Sequence, residues 1–275
     1  MPPIKFSVII PTWNRPETIE RSFPVLRDNT DWTDGELIII EQGSSQTEIP
    51  VVVENQNNIG VVYDEVVRTY VAKFLDTFWG RYKLVQNGEN LGIPRAWNQG
   101  LRIAEGEVLI CTASDMLLPV GWVGELYRLL SLPGAGNVAI SCDPNILKQL
   151  GNKVLLNGSE ITLDDAHDAG WNVGTIMCFR RALHQRIGYF FEGFGKYGEE
   201  DFDWGYRTLC SGLHNYYSAR LLVESIGGHD TIATNPEKAA GFEERRKMAV
   251  QRCAGYDSKS LPLYVPWYLE DKSVS

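Results

Sequence analysis

Apolar and polar positions along the chain follow two rhythms. Residues 6–10 are an almost unbroken apolar run closed by Pro11, which predicts a strand buried on both faces and therefore a parallel sheet. Residues 37–40, 82–86 and 108–111 predict three more strands. Between them apolar residues return at helical spacing: Ile19, Phe23 and Leu26 within 17–26, then Val62, Val66, Val67, Tyr70, Val71, Phe74 and Leu75 within 61–78. Pro24 is expected to kink or end the first of these helices, whereas Pro94 suits the first turn of a third, 94–104. Strands alternating with helices imply an α/β architecture, a parallel sheet with helices on both faces.

After Pro119 the alternation loosens. Helix is predicted at 120–130, 202–210 and 236–253, and strand at 138–141, 174–179 and 216–219. Residues 154–156 and 160–163, joined through Asn157-Gly158, have the chemistry of a two-residue hairpin. The run Glu243, Glu244, Arg245, Arg246, Lys247 reads as a solvated helix face. With no linker, low-complexity tract or repeat, one continuous domain over 1–275 is expected.

Composition narrows the function classes. The 275 residues are 44% hydrophobic, enough for a full core, and carry a net charge of -9 with a pI near 5.0. That balance argues against a protein that grips nucleic acid through its phosphates. Five cysteines without a C-x-x-C pair support neither a disulfide framework nor a structural zinc site, so a reducing, cytoplasmic setting is expected. No apolar run approaches the ~20 residues of a membrane span and no signal peptide is evident; peripheral contact at a membrane stays open.

In an open parallel sheet, ligands bind beyond the carboxyl ends of the strands. The tips there are polar and turn-forming: Pro11-Thr12-Trp13-Asn14-Arg15, Glu41-Gln42-Gly43-Ser44-Ser45, the loop 87–95, and Thr112-Ala113-Ser114-Asp115. Taken in order, SVIIPTWNR (7–15), LIIIEQGSS (37–45), ENLGIPRAWNQG (89–100), GEVLICTASDMLLPVGWVGEL (106–126), FFEGFGKYGEEDFDWGYR (190–207) and VESIGGHD (223–230) resemble the motifs of the family 2 glycosyltransferases. A second N-x-G, Asn58-Ile59-Gly60, also stands before a predicted helix, but only Asn90 is followed by R-A-x-N-x-G and then the acidic strand.

The resemblance implies a GT-A fold: one Rossmann-like domain with a central, mostly parallel sheet flanked by helices, and mixed strands with a hairpin in the acceptor half. Residues 5–119 would be the nucleotide-sugar-binding half, 120–230 the acceptor and catalytic half, and 231–275 a C-terminal helix and tail. It further implies an enzyme that moves a sugar, with inversion, from a UDP-, GDP- or dTDP-sugar to a hydroxyl of a glycan, a lipid-linked saccharide or another acceptor, assisted by Mn2+ or Mg2+.

On the donor side, Thr12, Asn14, Arg15, Glu41, Asn90, Gly92, Arg95, Ser114 and Asp115 are the residues that match. Glu41-Gln42 stands where the family has Asp-Asp, and Ala113-Ser114-Asp115 lacks one acid of D-x-D. Asp115 is then the expected metal ligand, since a divalent ion held by few protein ligands offsets the charge of a leaving diphosphate; a helix N-cap is its competing role. His229 is either a second metal ligand or a turn residue.

Inverting transfer needs one base for the acceptor proton, in contrast to the two carboxylates of a glycosidase. The family's E-D segment falls on Glu200 and Asp201, making Asp201 the base and Glu200 its neighbour, with the roles exchanged if the register slips by one. Trp171, Tyr197 and Trp204 are candidates for an aromatic wall against a sugar, Trp204 equally for core. Residues 261–268 either cover the acceptor or pack on the surface. The lost acid and Gln42 motivate an alternative, a non-catalytic nucleotide-sugar or glycan binder of the same fold. A sugar-phosphate nucleotidyltransferase would need a Gly-rich basic loop after the first strand, which is missing, and a DNA-modifying glycosyltransferase would need a basic patch that the net charge does not advertise.

Overall fold

A computed structural model describes residues 3–14, 16–43, 53–55, 58–60, 68–145, 153–156, 158–163, 165–171, 174, 176–226 and 239–267. They fall into two compact units: Met1–Trp122 with Val223–Gly228, and Val123–Leu222 with His229–Ser275.

In the first unit the apolar runs become the strands β1 (Phe6–Thr12), β2 (Gly35–Gln42), β5 (Arg81–Asn87) and β6 (Val108–Thr112), accompanied by two short strands absent from the sequence reading, β3 (Val53–Asn55) and β4 (Asn58–Gly60). Their order is β6-β1-β2-β5-β4-β3, parallel throughout except for β3 against β4. Val8, Ile9, Leu37, Ile38, Ile39, Ile40, Leu84, Leu109 and Ile110 are fully buried, as continuous apolar strands in a two-faced sheet must be. The second N-x-G is strand β4 itself.

Helix α1 (Pro16–Asp28) runs on through Pro24, so of the two outcomes expected there, a kink or an end, the end does not occur. The carbonyl that Pro24 deprives of its partner belongs to Glu20, on the exposed face, where water can replace the lost bond. Of the helix expected over 61–78, residues 61–67 lie outside the described set, Arg68–Ala72 and Lys73–Leu75 are helical (the latter α2), and 76–78 are turn. Helix α3 (Ile93–Ile103) lies against β1 at Gly100, where a Cβ would come within 2.2 Å of the Ile9 side chain. Strand β7 (Met116–Leu117) pairs antiparallel with β14 (Glu224–Ser225), two elements too short to read from pattern.

Toward the amino ends of the strands an ionic cluster, built on the buried Glu36 and Lys83 and closed by the exposed Glu105, ties four segments. Glu36 accepts from Ser7 Oγ and from the Glu105 amide, both at 2.6 Å, and pairs with Lys83 at 2.9 Å, while Lys83 also reaches Glu105 at 2.7 Å.

The second unit holds α4 (Trp122–Leu130), β8 (Ala135–Ile140), the hairpin β9 (Lys153–Leu156) and β10 (Ser159–Thr162), β11 (Ala166–Asp168), β12 (Ile176–Arg180), α5 (Arg181–Ile187), α6 (Glu200–Cys210), β13 (His214–Ser218) and α7 (Phe242–Asp257). Strand order β11-β13-β8-β12 is mixed: β13 runs parallel to β8, the other pairs antiparallel. Helix α5 follows directly on β12 and was hidden in the sequence by its charged residues. Helix α6 begins at Glu200, two residues before expectation, so the acids stand in its first turn. Helix α7 starts later than expected and runs on to Asp257; residues 236–238 lie outside the described set.

Trp204 is fully buried, its ring 4.4 Å from that of Phe190 and 4.6 Å from Phe179. An indole enclosed in this way cannot face a sugar, so Trp204 is core and not part of an aromatic wall. Residues 261–267 pack on this unit: the Tyr189 amide donates to the Val265 carbonyl at 2.8 Å and the Val265 amide to that of Ile187 at 3.0 Å.

Candidate functional site

The parallel register aligns the strand tips. Thr12 stands opposite Glu41, Glu41 opposite Gln86 and Gln42 opposite Asn87. Thr12 is buried, and its Oγ1 has no hydrogen-bond partner among the described residues. Glu41 is buried too and accepts from the Gly43 amide at 3.1 Å. Asn14 is exposed in a left-handed conformation with φ 46°, which a short polar side chain tolerates. Arg15 and His229 lie outside the described residues.

Gln42 does something a carboxylate could not. Its Oε1 accepts from Asn87 Nδ2 at 3.1 Å and the Leu91 amide at 3.2 Å, while its Nε2 donates to the Gly92 carbonyl at 2.9 Å. Asn90 Oδ1 accepts from the Gly92 amide at 2.9 Å, and Gly92 has φ 88°, the conformation glycine adopts freely. Asn90 and Gly92 therefore shape the turn that launches α3, with both backbone polar groups of Gly92 already engaged. Arg95, in the first turn of that helix, is exposed.

After β6, Asp115 is half-buried. The Ser225 hydroxyl donates to its Oδ2 at 3.2 Å and the Ile226 amide to its carbonyl at 2.9 Å. The Ser114 carbonyl accepts from Ser22 Oγ at 2.5 Å. Among the described residues no group of three or more His, Cys, Asp or Glu side chains could hold a metal alone. A single carboxylate with neighbouring hydroxyls is nevertheless an oxygen donor set that fits Mg2+ or Mn2+, ions that complete their shell with substrate phosphates.

In the second unit, the four acids at the start of α6 divide into distinct roles. Asp203 is fully buried, accepting from Arg207 Nε, Arg252 Nε and the Tyr256 hydroxyl, each at 2.8 Å. Arg207 also donates to the carbonyls of Ile187, Tyr189 and Leu263, so this pair is a brace linking α5, α6, α7 and the C-terminal stretch. Glu199, in a left-handed conformation with φ 68°, pairs with Arg246 at 2.9 Å.

Glu200 and Asp201 remain. Burial holds the Glu200 carboxyl well above the usual carboxylate range, the Asp201 charge adding to the effect and the backbone N–H groups of Glu200 and Gly198 opposing it. Its Oε2 is buried with no partner among the described residues, as suits a carboxyl that keeps a proton. Asp201, half-buried, is also raised, first by burial; the Phe202 amide, donating to Oδ1 at 2.8 Å, and the Arg246 guanidinium pull it back, while Glu199 pushes it up. Trp171 is half exposed with its ring 6.1 Å from that of Phe202, and Tyr197 is half-buried.

A model of the Glycosyl transferase family 2 matches residues 7–188, well over half of the chain. The chain belongs to glycosyl transferase family 2. Among curated relatives of this family, a GalNAc(5)-diNAcBac-PP-undecaprenol beta-1,3-glucosyltransferase of Campylobacter jejuni is 28% identical over 182 residues, 65% of this chain and 52% of the relative. The chain thus spans about half the length of that protein. The mannosyltransferase PcManGT of Pyrobaculum calidifontis, solved with GDP-Man and Mn2+, aligns over 90% of this chain and 66% of its own at 18% identity, with a TM-score of 0.65. S. aureus TarS 1-349 in complex with UDP-GlcNAc aligns over 80% and 57% at 18% identity, with a TM-score of 0.58. These likenesses show the fold, the α/β GT-A fold of glycosyltransferases. Among the described residues no helix is long and apolar enough to cross a membrane.

The motifs point to the strand-tip loops and the E-D pair; Ser225 stands inside the matched segment 223–230 but is not singled out by it, Gly174 reads only as the start of a strand, and Arg246 only as part of a solvated face. A glycine before a buried strand is a signal for close approach. Ser225 and Arg246 carried none, because their partners are 110 and 47 residues away.

Proposed function

We propose that this chain is a metal-assisted, inverting glycosyltransferase that moves a sugar from a nucleotide-diphosphate sugar to a saccharide hydroxyl. The observation that carries the reading is Asp201: a half-buried carboxyl in the first turn of α6, beside a carboxyl that burial keeps protonated. Residues 5–119 would serve the donor, 120–230 the acceptor, and 231–275 would brace the second, all within a cytoplasmic protein. Because the curated relative's name specifies an undecaprenyl-diphosphate-linked saccharide, a lipid-linked saccharide is the acceptor class to test first.

In this mechanism Thr12 Oγ1 and Glu41 accept from the base and ribose of the donor, and Asn14, Arg15 and Arg95 bind its polar groups. Asp115, with Ser114, Ser225 and His229, would hold Mn2+ or Mg2+, which when bound offsets charge on the diphosphate. Asp201 accepts the acceptor hydroxyl proton while the oxygen attacks the anomeric carbon from the face opposite the diphosphate. The new C–O bond forms as the bond to the diphosphate breaks, and the nucleoside diphosphate leaves with the electron pair. Glu200, retaining its proton, adds no second charge beside the base. Trp171 and Tyr197 offer ring surface to the acceptor sugar.

The test is incubation with UDP-glucose, UDP-GlcNAc and GDP-mannose, with Mn2+ and a polyprenyl-diphosphate disaccharide, following nucleoside diphosphate release. Turnover that Asp201→Asn lowers about 10^3-fold, with Mn2+-dependent nucleotide binding retained, supports the reading. Nucleotide-sugar binding with no release under any condition would replace it by the non-catalytic binder.

A further inference from the structure

The charged run 243–247 is for the most part a solvated helix face, but Arg245 is half-buried against Gly198, and Arg246, though exposed, is engaged. Arg246 reaches back to the start of α6, pairs with Glu199 at 2.9 Å, and lays its guanidinium carbon 4.5 Å from the centre of the Phe202 ring. It thus grips the residue two before Asp201 and the residue one after it. Glu199, so gripped, sits at φ 68°, a left-handed conformation that a non-glycine residue adopts only where its surroundings impose it.

We propose that Arg246 is a positioning residue for the Asp201 carboxyl, cancelling the neighbouring Glu199 charge and fixing the first turn of α6 through Phe202; this deepens the reading of Asp201 as the base and rests on it. With Glu200 neutral, the charge that opposes ionisation of Asp201 is that of Glu199, and a base must be ionised to accept a proton. The titratable and charged groups acting on Asp201 among the described residues are Glu199 and Glu200 from its own segment, Tyr217 from β13 and Arg246 from α7. Arg246 is the cation of that set, and Gly174, which lies against Asp201, adds no side chain. Helix α7 therefore contributes charge to the site as well as packing.

Full-length protein carrying aspartate labelled with 13C at Cγ, without donor or metal, reports the carboxyl directly, the signal absent from Asp201→Asn assigning it. Arg246→Gln should raise the Asp201 midpoint by about half a unit or more, Arg246→Lys should leave it near the parent value, and Glu199→Gln should lower it. An unchanged midpoint in Arg246→Gln, or a full upward shift in Arg246→Lys, overturns the proposal. Should Arg246→Gln fail to fold, Glu199→Gln decides: a midpoint that does not fall overturns it equally. Failure of the underlying reading looks different, because Asp201→Asn would then retain transfer and the role falls with the base. A flat titration beside an inactive Asp201→Asn removes the positioning role alone.

Discussion

Gly174 lies against Asp201 so closely that a Cβ at position 174 would come within 2.8 Å of the carboxylate Oδ2. No other side chain type fits there without moving the proposed base. The obstructing atom is the end of a side chain, so Gly174→Ala should fold and displace the carboxylate. Transfer should fall about ten-fold or more, since misplacements of this size are costly in a positioned reaction. Steady-state kinetics beside a thermal melt checks it; an active variant would show that Asp201 has room to spare.

Glu200 makes stability depend on pH in a particular direction. Its folded carboxyl titrates above the ordinary 4.5. Below that ordinary value both folded and unfolded chains hold the proton and nothing is lost. As pH rises past it, the unfolded chain ionises while the folded one does not, and stability declines until the folded carboxyl also ionises. Glu200→Gln removes the penalty. Its gain over the parent should be near zero at about pH 4 and grow to the order of 1 kcal/mol above neutrality, measured by urea unfolding at several pH values.

Arg207 answers a buried carboxylate and three backbone carbonyls at once. Arg207→Met should therefore destabilise by about 3–5 kcal/mol, the usual cost of stranding one partner of a buried ion pair. Denaturant midpoints report it, and a loss below about 1 kcal/mol would mean that Arg252 and Tyr256 suffice for Asp203.

Gln42→Glu keeps the acceptor that meets Leu91 and Asn87 but loses the donor to Gly92 and brings a negative charge to a carbonyl. The 88–92 turn should loosen, raising the donor KM by roughly ten-fold, about the 1.4 kcal/mol expected for one buried bond broken, with kcat little changed. The same loss should appear in equilibrium binding of the nucleotide.

The parallel strands were legible because an apolar run such as 37–40 has one way to be buried, and the polar loops at their carboxyl ends because each follows such a run. The E-D pair was legible as an acidic cluster at a helix start. Its division of labour was not: Asp203 and Asp201 have the same side chain two residues apart, and only the arginines of α6 and α7 make one a brace and leave the other available as the proposed base. That α1 continues past Pro24 was not legible, because local sequence does not reveal which face of a helix will meet water. Trp204 misled because an aromatic next to acids looks alike whether it lines a cleft or fills a core.

The ionic cluster of Ser7, Glu36, Lys83 and Glu105 gives the first unit two unlike poles. Along β1 Thr12 lies five residues beyond Ser7, about 16 Å of strand. At one pole every partner is another part of the chain, and strand alignment is locked there. At the other, Thr12 Oγ1 and Gln86 Nε2 stay uncommitted within the described protein. Substitutions at the committed pole should be tested by fold stability, whereas those at the open pole are free to change which donor is accepted while the sheet keeps its register. Donor preference in such a scaffold is a replaceable module, and swapping 87–95 together with Gln42 between relatives is the graft that respects the boundary.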